Sequence, residues 1–171
     1  MIIGIAGNKR HGKDTIGNYL IEKYGFEKIS FAQPIKDIIK MLFNFSDEQL
    51  NGDLKEVIDE NWNFSPRFIM QFIGSSFRNN IQDDIWIKIL ENKIKNDKKY
   101  VITDLRYVNE NEFINRNNGI KIRVKRNILS NDTHESEQYV NMLDVDYEID
   151  NNGTLEELYE KVDKILLEKN F

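Results

Sequence analysis

Residues 1–15 read MIIGIAGNKRHGKDT. Ile2 to Ala6 is a short, nearly continuous apolar run ending at a glycine, the pattern of a buried parallel strand. Gly7, four residues, Gly12 and Lys13 follow. Ile16, Tyr19, Leu20 and Ile21 then recur at helical spacing until Gly25 stops them. A strand, a glycine-bracketed loop with a lysine, and a helix together make a phosphate-binding layout. The loop N–H groups form an anion nest, the helix N-terminus adds its dipole, and the lysine reaches the β- and γ-phosphates. A plain glycine turn is the alternative, and the strand before and helix after argue against it. Gly7, Asn8, Lys9, Arg10, His11, Gly12, Lys13, Asp14 and Thr15 are therefore the predicted ATP-binding residues.

Asp14 stands where such loops carry a Ser or Thr for magnesium, and the hydroxyl comes one place later, at Thr15. Mg²⁺ takes oxygen ligands and keeps several waters, so Asp14 is a candidate metal ligand, directly or through water. The competing reading is a carboxylate that repels phosphates and weakens the site. A carboxylate in the first helical turn is also favourable with no ligand at all. His11 reads as an exposed loop residue rather than an acid or base, because phosphoryl transfer rests on positioning and charge stabilisation.

Outward from this loop, Lys28 to Phe31 reads as a short strand and Pro34 to Phe45 as a helix through Ile35, Ile38, Ile39 and Leu42. Ser46 to Leu50 reads as a helical turn. Ser65-Pro66 starts another helix, with Ser as cap and Pro at the first position, running to about Arg78 with Phe68, Ile69, Phe72 and Ile73 as core. Asp84 to Lys95 gives a further helix. Tyr100 to Thr103 is a buried strand ending in Asp104, and Val108 to Asn118 is a helix stopped by Gly119. Ile120, Ile122 and Val124 alternate with Lys121, Arg123 and Lys125, as in a strand. Asn127 to Ser136 is a polar loop, and Val145 to Ile149 a last strand. Thr154 with Glu157 forms a capping box before a helix through Leu155, Leu158, Val162, Ile165 and Leu166. Trp62 and Trp86 read as core. Strands alternating with helices predict an α/β fold with a mainly parallel sheet flanked by helices. Residues 32–95 interrupt the strands with helices and read as a subdomain over the strand ends, where ligands of such folds bind.

The chain has 171 residues and a net charge of −5, with 40% apolar and 31% charged residues. That suits one soluble domain with a proper core, and disfavours general binding to nucleic acid or a membrane surface. There is no cysteine and only two histidines, His11 and His134, so disulfides are excluded and a structural zinc site is disfavoured. The apolar run at the N-terminus is too short for a signal or a span. The expected location is the cytoplasm of a cell or of an infected host.

An aspartate ending a buried strand lies at the ligand edge of the sheet. Asp104 there is a candidate to hold a magnesium water or orient the attacking group, or else simply caps the next helix. Arg106 adds a bidentate phosphate binder. Arg67, Gln71 and Arg78 fall at i, i+4 and i+11, on roughly one helical face. Two arginines and an amide there suit a phosphate and a base edge, and a solvated polar face is the plain alternative. Arg123, Lys125 and Arg126 precede the polar loop. Arg123 and Lys125 are either lid cations or the outward face of an edge strand, and Arg126 is the preferred lid cation.

These segments together resemble the bacteriophage-type deoxynucleoside monophosphate kinases within the P-loop kinases. The resemblance is carried by Gly12-Lys13-Asp14-Thr15, Ser30-Phe31-Ala-Gln-Pro34-Ile-Lys36 and Phe45 to Glu56. It continues through Arg67-Phe-Ile-Met-Gln71-Phe-Ile-Gly74-Ser-Ser-Phe-Arg78, Asp84-Ile-Trp86, Asp104-Leu-Arg106-Tyr-Val-Asn109-Glu110 and His134-Glu-Ser136-Glu137. Ser75-Ser76 departs from a common Thr-Glu, and Asn127 from a common Pro. The resemblance implies a P-loop NTPase fold over residues 1–171 with ATP and Mg²⁺ as cofactors. It also implies an acceptor-binding helical subdomain at 32–95 and a short lid at about 126–137. The implied transfer moves the ATP γ-phosphoryl group to a small-molecule dNMP. Lys13, Arg78, Asp104, Arg106 and Arg126 would be catalytic, with Asp14 and Asp104 at the metal. Phe31, Lys36, Arg67, Gln71, Arg78, Asp104, Arg106 and Glu137 would meet the acceptor. The family resemblance also admits a homodimer. The rivals are a P-loop kinase for another small acceptor, such as a coenzyme precursor or a phosphorylated alcohol, and a non-catalytic nucleotide-binding module.

Overall fold

The computed structural model describes residues 1–128 and 139–169. They form two compact units, Met1–Ser30 with Ile94–Phe171, and Phe31–Lys93.

The first unit contains β1 (Ile2–Ala6), α1 (Lys13–Tyr24), β2 (Glu27–Ile29) and β3 (Tyr100–Leu105). The second contains α2 (Gln33–Phe43), α3 (Asp47–Asn51), α4 (Pro66–Asn80) and α5 (Ile85–Glu91). The first unit is completed by α6 (Val108–Arg116), β4 (Ile120–Lys125), β5 (Tyr147–Asp150) and α7 (Leu155–Glu168). Its sheet has the order β2-β3-β1-β4-β5, and each neighbouring pair is parallel. Ile3 and Ile5 of β1 face α1 and α7, in one core with Ile16, Leu20, Val101, Ile122, Val124, Leu158, Val162 and Leu166. Gly4 faces the other way, where an added Cβ would lie 3.0 Å from Ile114 of α6. The strictly apolar β1 is thus covered on both faces, as its sequence requires.

At the ends of α1, sequence and structure agree closely. Gly25 takes a left-handed conformation and donates to Ile21 and Leu20 carbonyls, which satisfies the last carbonyls of the helix. The Thr154 hydroxyl accepts from Glu157 N–H at the start of α7. Between α1 and α7, the Asp163 carboxylate accepts from Tyr19, Lys23 and Tyr24, each at 2.7 Å. Burial pushes that carboxyl up, but these donors outweigh it and hold it below the usual range.

Strand β4 lies between β1 and β5, so the reading of Arg123 and Lys125 as the outward face of an edge strand does not hold. Lys121 and Arg123 are accordingly buried, at 3% and 7% exposure. Lys121 Nζ sits 3.4 Å from Asp144 Oδ2. Arg123 pairs with Glu148 at 2.5 Å and donates to the carbonyls of Val140 and Leu143. Arg123 therefore fastens the chain beyond β4 and is neither an outward residue nor a lid cation. Lys125 is exposed and pairs with Glu148.

In the second unit, Ser46 and Gln49 form a reciprocal capping box on α3, and Ser65 caps α4 ahead of Pro66. The covered face of α4 is Pro66, Met70 and Gly74, with Phe77 stacked on the buried Trp86. Trp86 also donates its indole N–H to the Gly74 carbonyl at 3.1 Å. The expected core residues Phe68 and Phe72 are instead 56% and 58% exposed. At about 100° per residue they fall roughly opposite Met70 and Phe77. They continue a string of rings from Phe43 through Trp62 and Phe64. Trp62 is 42% exposed rather than core, though its indole N–H donates to the Phe43 carbonyl. The α4 sequence carries two apolar stripes, and its neighbours cover only one.

Candidate active site

Parallel pairing brings three strand ends to the same edge of the first unit. Ala6 pairs with Leu105 and with Arg123, so the segments after β1, β3 and β4 emerge side by side. The loop from Gly7 to Gly12 lies on this edge. Gly7 has φ +152, and a Cβ there would meet the Val124 carbonyl oxygen at 2.6 Å. Gly12 has φ +103, and a Cβ there would meet the Asn151 amide nitrogen at 2.4 Å. Both positions therefore need glycine, for backbone conformation and for close approach.

His11 is buried, not exposed as its place in a polar loop suggests. A turn from Asn8 to His11 directs the ring inward, where Nδ1 lies 3.2 Å from the Val124 carbonyl oxygen. Asn151 Nδ2 donates to the His11 carbonyl at 2.8 Å. The loop is thus tied to the ends of β4 and β5. Lys13 Nζ donates to the Asn8 carbonyl at 2.9 Å, across the loop it closes.

Asp14 lies in the first turn of α1. Its Oδ1 accepts from Thr103 Oγ1 of β3 at 2.8 Å and from Lys28 Nζ of β2 at 2.7 Å. Partial desolvation raises its carboxyl, though the side chain stays largely exposed, but the Lys28 and Thr103 hydrogen bonds, with the charges of Lys28 and Lys13, hold it below the usual carboxylate range. It is therefore ionised at neutral pH. Asp104, next to Thr103, accepts from Ser30 Oγ at 2.7 Å and lies at the C-terminal end of β3, as the sequence suggests. The buried Glu110 caps α6, with Oε2 accepting from the N–H groups of Arg106 and Tyr107 at 2.9 and 3.1 Å. That fixes the backbone from which Arg106 projects. Among the described residues no group of three or more His, Cys, Asp or Glu is arranged to hold a metal. Asp14 and Asp104 are single oxygen donors of the kind that suits a Mg²⁺ carried largely by phosphates and water.

A cleft of ≈ 340 Å³ opens over the loop, lined by Arg10, Gly12, Lys13, Asp14, Thr15, Arg126, Asn151, Gly153, Leu155 and Leu158. Its volume is in the range of small-ligand sites. Arg126, the expected lid cation, is one of its walls. Asn151, Gly153, Leu155 and Leu158 are additions that motif reading missed. Their signal was the Asn151-Asn152-Gly153 turn after the last strand, which reads locally as a simple connection. Of the proposed lid, His134 and Glu137 lie outside the described residues.

The second unit carries the remaining candidates. Arg67, Gln71 and Arg78 all lie on α4 and are half-buried. Arg78 donates to the Asp83 carbonyl at 3.1 Å, and Lys36 Nζ donates to Asn51 at 2.8 Å. Phe31 is buried.

The sheet order, the glycine-bracketed loop and the lysine within it define a P-loop kinase fold. Solved structures agree. A shikimate kinase from Acinetobacter baumannii matches with a TM-score of 0.51 at 16% identity, covering 98% of this chain and 93% of its own. A Thermus thermophilus protein matches with a TM-score of 0.53 at 13% identity, covering 98% and 97%. More particularly, the deoxynucleotide monophosphate kinase family model matches residues 1–57 and 41–162, and the chain belongs to that family. A mimivirus chain carrying the same family name, from Acanthamoeba polyphaga mimivirus, is 35% identical over 95% of this chain and 94% of its own. The deoxynucleotide monophosphate kinase of Enterobacteria phage T4 is 24% identical over 96% and 98%.

Proposed function

We propose that this protein transfers the γ-phosphoryl group of ATP to a deoxynucleoside monophosphate, giving a dNDP and ADP. The observation that carries the reading is the convergence on one sheet edge of the Gly7–Thr15 loop, the Asp14–Thr103 contact and Arg126, in a chain of this family. The loop N–H groups and the α1 N-terminus hold the triphosphate. Lys13 leaves the Asn8 carbonyl for the β- and γ-phosphates. Asp14 and Asp104 would hold a Mg²⁺, directly or through water, which would supply charge neutralisation to the phosphates.

The acceptor binds through the second unit. Arg67 and Arg78 clamp its 5′-phosphate, Gln71 meets a base edge, and Lys36 and Phe31 complete the pocket. One acceptor phosphate oxygen attacks the γ-phosphorus in line as the bond to the β-bridging oxygen breaks. The acceptor is already an anion, so no general base is required. Lys13, Arg106 and Arg126 stabilise the charge that spreads over the transferring group. The setting is the cytoplasm of a cell or an infected host, and sedimentation of the purified chain decides between a monomer and a homodimer.

The test is ADP production from ATP-Mg²⁺ with each common dNMP and NMP, with Lys13→Ala alongside. Turnover with at least one dNMP, reduced on the order of 10³-fold in the variant, is expected. ATP binding without nucleotide-dependent ADP production would refute the proposed acceptor class. Undiminished turnover in Lys13→Ala would refute the assignment of the loop.

A further inference from the structure

The carboxylate at the mouth of the loop already has a cation beside it. Lys28 Nζ lies 2.7 Å from Asp14 Oδ1, and Thr103 Oγ1 donates to the same oxygen at 2.8 Å. Neither bond falls on Oδ2. The three residues come from separate elements whose relation is fixed by the sheet. Lys28 pairs with Val101 across the β2–β3 ladder, and Gly17, one turn beyond Asp14, admits the Thr103 side chain against α1. The contact is therefore built by the fold, rather than by chance between neighbours in sequence.

It is also easily broken. The side chains of Lys28 and Asp14 are 41% and 71% exposed, and an ion pair so open to water is weak. The ammonium can return to solvent on its flexible stem, while Thr103 continues to hold the carboxylate. A divalent cation approaching Asp14 meets a carboxylate whose charge is already balanced.

We infer that Lys28 is a positioning residue: a built-in counter-ion that holds Asp14 in place before nucleotide binds and competes with a divalent cation for it. The protein alone then binds such a cation less tightly than its loop carboxylate would allow. Metal loading is thereby favoured in company with the triphosphate, which brings its own anionic oxygens to the cation and to the displaced ammonium. The inference rests on the proposed metal-facing role of Asp14 and is independent of which acceptor the protein uses.

The test is Mn²⁺ binding to the full chain without nucleotide, read from the electron paramagnetic resonance signal of free Mn²⁺. The unaltered protein is compared with Lys28→Met, Asp14→Asn and the double variant. Methionine keeps the apolar stem and removes the charge. Lys28→Met should tighten Mn²⁺ binding about three- to fivefold, the size of effect an exposed ion pair supplies. The gain should vanish in the Asp14→Asn background, and Lys28→Arg should behave as the unaltered chain. Equal or weaker binding in Lys28→Met overturns the inference. So does an equal gain in both backgrounds, which marks a general charge effect, and so does absence of Mn²⁺ from every protein. Lys28→Gln supplies a second neutral side chain should the methionine variant fold poorly. ADP production measured in parallel separates the two readings: normal transfer with no effect of Lys28 on Mn²⁺ refutes the counter-ion alone.

Discussion

Replacing Gly17 with alanine should reverse the usual helix preference. In an unobstructed helix interior, alanine is better than glycine by about 1 kcal/mol. Here a Cβ would lie 2.6 Å from Thr103 Cγ2, and Thr103 is only 6% exposed. Overpacking of this kind costs about 1–3 kcal/mol, so Gly17→Ala should be net destabilising by up to about 2 kcal/mol. The same threonine donates its hydroxyl to Asp14, so a shift of its methyl group also disturbs the site. Thr103→Ser removes the methyl group and keeps the hydroxyl. In that background Gly17→Ala should be neutral or stabilising by up to about 1 kcal/mol, a coupling of about 2 kcal/mol between two touching residues. Urea denaturation of the four proteins measures it, with ADP production as a second readout. Stabilisation of the otherwise unaltered chain by Gly17→Ala, or additivity within about 0.5 kcal/mol, would refute the reasoning.

Arg123→Leu should destabilise by about 2–4 kcal/mol in urea, since it strands the Val140 and Leu143 carbonyls to which Arg123 donates and a buried unsatisfied group costs about 1–3 kcal/mol. Arg126→Ala, at an exposed cleft wall, should leave stability within about 0.5 kcal/mol and lower kcat for ADP production. A lower kcat without destabilisation in Arg123→Leu would restore Arg123 as a lid cation. Asp163, held below the usual carboxylate range, gives up its stabilisation on acidification. The unfolded carboxyl takes its proton first, so the contribution is full above about pH 4 and lost as pH falls further. Thermal melts of Asp163→Asn against the original should converge in that acid range and separate above it. Phe68→Ser and Phe72→Ser, at exposed positions, should each change the urea midpoint by an amount worth no more than about 0.5 kcal/mol. A loss of 2 kcal/mol or more would mean that their stripe is covered.

The first 25 residues determined their own local structure. Four apolar residues around Gly4, the two loop glycines and an amphipathic run dictate strand, loop and helix through backbone sterics and periodicity alone, and β1, the loop and α1 have those bounds. The Ser65-Pro66 start of α4 and the Thr154 cap of α7 were legible for the same reason, since capping is satisfied within four residues. What lies between elements was decided by the tertiary structure. Alternation in β4 showed a strand, but only the sheet order makes it an inner one and buries Lys121 and Arg123 against carbonyls and carboxylates far along the chain. The α4 sequence offered two apolar stripes, and only its packing partners chose Met70 and Gly74 over Phe68 and Phe72. His11 turned inward because the Val124 carbonyl awaited it at the end of β4. Asp14 was visible as an unusual residue in the loop, yet its partners Lys28 and Thr103 lie 14 and 89 residues away. Sequence periodicity carries information over a few turns of chain, whereas ion pairs and close approaches depend on which strands become neighbours.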